Sequence, residues 1–91
     1  MRVQFIKNIH FTRLLKTNGR LREFNFRKFK GAQEELFSVD LSDDRGNRII
    51  FHSEKIGGNW HNVPGEHPLP SWVNEVEAKI GETIEEELRN G

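Results

Sequence analysis

Residues 14–29 read LLKTNGRLREFNFRKF, with five basic side chains and three phenylalanines around Asn18-Gly19. Asn-Gly is the preferred pair for a two-residue type I′ hairpin, because both central positions need a positive φ that these residues tolerate best. Once the turn is fixed, the register is fixed with it. Pairing Thr17 with Arg20 sets Leu15 opposite Arg22, Arg13 opposite Phe24, Phe11 opposite Phe26 and Ile9 opposite Lys28. One face then carries Ile9, Phe11, Leu15, Phe24 and Phe26, and the other carries His10, Thr12, Leu14, Lys16, Leu21, Glu23, Asn25 and Arg27. A slip of one residue would scatter the aromatics over both faces, so the side-chain pattern supports the turn.

A second hairpin is written into ELFSVDLSDDRGNRIIFHSE, residues 35–54. Phe37, Val39 and Leu41 alternate with Ser38 and Asp40, the pattern of a half-buried strand. SDDRGN suits a type I turn followed by Gly46 as the bulge residue. Pairing Asp43 with Asn47 sets Leu41 opposite Ile49 and Val39 opposite Phe51, which adds these side chains to the same apolar face. KIGGNWH predicts a further short hairpin through Gly57-Gly58 that brings Trp60 back near Lys55. VPGEHPLP then interrupts regular structure, since proline supplies no ladder donor and no helical continuity. Ser71 is the expected N-cap of a helix beyond that loop. Val73, Val76, Ile80, Ile84 and Leu88 recur at steps of three and four, the stripe of an amphipathic helix. Gly81 inside that helix costs about 1 kcal/mol relative to Ala and predicts close packing against the sheet.

The expected fold is therefore a single α+β domain over residues 1–91. An antiparallel β-meander of four or five strands spans about 3–63, a proline-rich loop 64–70, and one C-terminal amphipathic helix over 71–89 packs on one face. At 91 residues the chain has interior for one core only. Mean hydropathy is −0.74, polar for a globular domain, and the seven Phe and two Trp supply most of what can be buried. The absence of cysteine excludes disulfides and thiolate metal sites, and a reducing cytoplasm is the expected location. Polar residues interrupt the N-terminal stretch too often for a signal peptide, and no apolar run approaches the ~20 residues a bilayer span needs.

Net charge is zero but sorted: residues 1–30 hold nine bases and one acid, residues 31–70 three bases and seven acids, and residues 71–91 two bases and six acids. Such sorting points either to a basic binding face or to the two ends of the chain packing on one another. In the second case Arg13, Arg22 and Lys28, on the helix-covered face, reach Glu75, Glu82 or Glu86. Lys7, Lys16, Arg20, Arg27 and Lys30 remain on the open face, the turn or the flanks. Basic side chains among apolar ones are what single-stranded nucleic acid requires, so His10, Lys16, Arg20, Arg27 and Lys30 are the candidate nucleic-acid-binding residues. Trp60, Leu69 and Trp72 bracket the proline-rich loop and form the candidate interaction patch if exposed. His52, His61 and His67, with Glu54 and Glu66 nearby, match no metal-ligand spacing, so no metal and no cofactor is expected. No nucleophile elbow, phosphate-cradling loop or dinucleotide fingerprint is present, and the chain is not expected to be an enzyme.

From Arg13 to Leu88, the segments RLLKTNGRLREFNFRKF, DDRGNRI and LPSWV resemble small uncharacterised bacterial proteins, a resemblance that carries across no catalytic residue. The order of several antiparallel strands and then one helix is also similar, in topology, to the repeats of the Pur-alpha and Whirly families, which implies single-stranded nucleic-acid binding. The expected function is thus a small non-enzymatic binding or adaptor module with single-stranded nucleic acid as its leading partner. The alternative is a protein interaction or homodimerisation module, working through an exposed sheet edge or the tryptophan loop, with no affinity for nucleic acid. A membrane is not among the expected partners.

Overall fold

The structure, a computed structural model, describes residues 9–28 and 36–90. Five antiparallel strands form one open sheet in chain order: β1 (His10–Thr17), β2 (Arg20–Lys28), β3 (Leu36–Ser42), β4 (Arg48–Ile56) and β5 (Asn59–Pro64). A short helix α1 (Ser71–Asn74) and a longer one, α2 (Glu77–Asn90), complete the chain order. The expected strand start near residue 3, and Lys7 and Lys30, lie outside the described residues.

All three hairpins adopt the pairings that their turns dictate. Asn18 and Gly19 have φ of 52° and 77°, and every pair from Phe11↔Phe26 to Thr17↔Arg20 is in the expected register. In the second hairpin Asp43 N–H donates to Asn47 O, Gly46 N–H donates to Asp43 O, and Gly46 takes a φ of 83°. Leu41 faces Ile49 and Val39 faces Phe51. Gly57-Gly58 closes the third, with Lys55 opposite Trp60. Pro64 ends β5 one residue beyond the expected boundary, a position open to proline because β5 is an edge strand.

The core lies between the sheet and the helices. Phe24, Phe26, Phe37, Val39, Leu41 and Phe51 from the sheet meet Val73, Val76, Ile80 and Ile84 from the helical segment. A line of aromatic contacts crosses the sheet beneath α2: Phe11 stacks on Phe26 at 4.6 Å between centroids, meets Phe37 edge-on at 6.2 Å, and Phe37 meets Trp60 edge-on at 5.8 Å. Gly81 is needed where α2 crosses Trp60, since a Cβ there would stand 2.9 Å from Trp60 Cβ. Three side-chain contacts tether α2 across the sheet. Glu77 accepts from Asn62 N–H at 2.8 Å on β5, Glu85 pairs with Lys55 on β4, and Glu87 pairs with Arg13 at 3.5 Å on β1.

The helical segment departs from expectation in two respects. It is not one helix over 71–89, because regular α-helix is interrupted at Glu75 and Val76. There the Val76 N–H turns back to Val73 O at 3.2 Å, one residue short of helical spacing. The reason is competition for carbonyls: Thr17 Oγ1 donates to Trp72 O, and Asn62 Nδ2 donates to Val73 O. The tightened turn also fits the three-residue step from Val73 to Val76, both of which stay buried. Nor is Ser71 the N-cap. Pro70 takes that position, and the chain enters α1 without a side-chain cap.

Candidate interaction surface

The first hairpin is anchored from its turn. Arg22, almost completely buried, lies with its guanidinium carbon 4.4 Å from the centroid of the Trp72 ring. Its Nε donates to Thr17 O at 3.2 Å, and its terminal nitrogens donate to the two carboxylate oxygens of Asp44 at 2.9 and 3.4 Å. Arg20 donates to the same carboxylate at 2.9 Å. The Arg22 hydrogen bond holds the Asp44 carboxyl below the ordinary aspartate range, and the Arg22 and Arg20 charges act in the same direction. Its neighbour Asp43 is likewise lowered, chiefly by the Asn47 N–H. Arg22 therefore does not reach Glu75, Glu82 or Glu86. Its partner is a loop aspartate, because the β3–β4 turn folds over the end of β2. Arg13 does pair with the helix, through Glu87 instead of its three expected neighbours.

The open face of the sheet carries equal numbers of opposite charges. Strand alternation places Lys16, Arg27 and Arg48 on it, and also Glu23, Asp40 and Glu54, three against three among the described residues. A polar line runs across four strands: Thr12 Oγ1 donates to Asn25 Oδ1, Asn25 Nδ2 donates to Asp40 Oδ1, and Arg48 pairs with Asp40 at 3.4 Å. Four large aliphatic side chains stand more than half exposed on the same face: Leu14 (60%), Leu21 (63%), Ile50 (58%) and Ile56 (54%). Leu14 and Leu21 are diagonal neighbours, and they adjoin the outer edge of β1.

The sequence-derived nucleic-acid set is divided by this geometry. His10 and Arg27 are direct partners at one end of the hairpin, exposed, while Lys16 and Arg20 lie at its turn, roughly 20 Å away along the strand. Arg20 is engaged by Asp44, and Lys30 lies outside the described residues. The tryptophan patch is similarly divided. Trp60 is buried under α2, whereas Leu69 and Trp72 are half-buried at the margin of the core. No group of three or more histidine or acidic side chains positioned to hold a metal occurs among the described residues. No described helix is long and apolar enough to cross a membrane.

The two edges of the sheet differ in a way that the sequence did not announce. Lys28 N–H bonds to Ile9 O, which fixes the odd-numbered residues of β1 as those bonded to β2. The backbone N–H and C=O groups of His10, Thr12, Leu14 and Lys16 therefore point outward, over a strand of eight residues that contains no proline. The β5 edge is blunted. Its outward Asn62 N–H is taken by Glu77, its outward Pro64 has no N–H, and α2 runs beside it. The chain matches no protein-family model, no curated protein and no solved structure.

Proposed function

We propose that the chain is a non-enzymatic protein-interaction module whose working surface is the outer side of the first hairpin, comprising the β1 edge with Leu14 and Leu21. The observation that carries this reading is the eight-residue edge, which no other strand covers among the described residues, set beside two leucines each about three-fifths exposed. An edge of this kind offers a row of main-chain donors and acceptors, and the adjoining aliphatics give a landing strand apolar area to bury. Nucleic acid is the less favoured partner. Phosphate binding needs unopposed positive charge, and the open face is balanced while Arg20 and Arg22 already have a carboxylate.

A photoreactive amino acid placed at Leu14 and, as a control, at Arg45 tests the reading in cells that express the chain. Adducts with protein from position 14 and none from position 45 are the expected result. Adducts with nucleic acid, or equal yields at both positions, overturn it. An oligonucleotide titration followed by backbone amide shifts gives the complementary result: no salt-sensitive shift over residues 10–28 is expected.

A further inference from the structure

Resting on that reading, we infer that the partner at the β1 edge is a second copy of this chain, paired antiparallel about a two-fold axis through Leu14. A strand that pairs with itself must present outward groups at residues whose numbers sum to a constant, which leaves few registers to compare. Centring on Arg13 sets two guanidinium groups against each other. Centring on Thr12 sets Arg13 of one copy against Phe11 of the other. Centring on Leu14 sets Leu14 against Leu14 and Thr12 against Lys16, and gives about six main-chain hydrogen bonds from three bonded residue pairs. It also brings the four exposed leucines, Leu14 and Leu21 of each copy, together across the seam on the open face.

Charge fits the same register. A groove of about 330 Å³ runs beside β1 on the helix side, between Arg13, Leu15 and Lys16 on the strand and Lys79, Glu82 and Glu86 on α2. Both glutamates are exposed; Glu82 pairs loosely with Lys79 at 3.9 Å, and the Arg13 of this chain is engaged by Glu87, which leaves Glu86 as the carboxylate of the groove that none of these bases engages. In the Leu14-centred arrangement Arg13 of the second copy stands opposite Leu15, in the groove on the side of Glu86. Basic side chains on an edge strand normally discourage pairing. Here Glu86 on α2 supplies the countercharge, and the two-fold axis supplies it twice.

Sedimentation of the full chain over a wide concentration range, with hydrogen exchange of backbone amides, tests the inference. The expected result is a mass rising from 10.7 kDa to twice that value with concentration, with protection growing at the Thr12, Leu14 and Lys16 amides. Leu14→Pro removes the central outward donor without touching the β1–β2 ladder, and is expected to hold the chain at one copy. If that variant fails to fold, Glu82→Lys with Glu86→Lys, remote from the core, is expected to weaken the dimer at least tenfold. A single-copy mass at every concentration, or protection that grows at β5 and not at β1, overturns the inference. Single-copy mass together with adducts from Leu14 to a different protein would sink the self-pairing while leaving the interaction reading intact.

Discussion

Gly81 shows most directly what a single residue decides. Helix propensity favours alanine at this site by about 1 kcal/mol, but the added methyl meets the Trp60 side chain at its root, where it cannot swing aside. Overpacking of this kind costs about 1 to 3 kcal/mol, so Gly81→Ala is expected to lower stability by about 1 kcal/mol net, seen as a fall of several degrees in thermal midpoint. Asp43 and Asp44 make a pH prediction. Both carboxyls titrate lower in the folded chain than in the unfolded one, so the stability they contribute is present above the ordinary aspartate value and is lost as pH falls through the lowered folded values. Thermal midpoints measured from about pH 5 down to about pH 2 should decline, and Asp44→Asn should flatten part of that decline. The Gly81 contact was legible in the sequence, because a glycine that interrupts an amphipathic helix is worth its propensity cost where a neighbouring element crosses too closely for a methyl group. The Arg22 partner was not. Asp44 lies 22 positions away on a different hairpin, and nothing in the local pattern separates it from the helix glutamates.

The hairpins were the most legible elements, because Asn18-Gly19 and the Asp43–Asn47 turn each fix a register by local backbone chemistry. Strand alternation then placed Phe24, Phe26, Phe37, Val39, Leu41 and Phe51 on the face that the helices cover. The helical segment was readable only as a stripe, and its interruption was hidden, since the groups that divert its carbonyls come from β1 and β5. Thr17 and Asn62 act on α1 across 55 and 11 residues of sequence. Thr17→Val, which keeps shape and removes the donor, is expected to cost about 1 to 2 kcal/mol in chemical denaturation. The loss should be accompanied by changed near-ultraviolet signals from Trp72, because the same carbonyl bond seats that ring under Arg22.

For the molecule as a whole, one layer of helix covers one face of one sheet, and every strand neighbours its predecessor. Among the described residues, the helical segment is what covers the aromatic line through Phe11, Phe26, Phe37 and Trp60. A chain ending at Pro70 is therefore expected to lose cooperative unfolding and to bind a hydrophobic dye, which circular dichroism and dye fluorescence would show. Charge sorting along the sequence suggested a basic face. In three dimensions Arg20 and Arg22 meet Asp44, Lys16 and Arg27 lie on the balanced open face and Arg13 meets Glu87 on α2, a result that depends on strand order and loop placement and is invisible in composition.

The asymmetry of the two edges carries a further consequence, best put in the language of polymer chemistry. A sheet with two open edges is a bifunctional monomer and can grow without limit, as fibrils do. Among the described residues, Glu77, Pro64 and the flank of α2 leave β1 as the edge open to growth, so a strand added there would end the addition in one step.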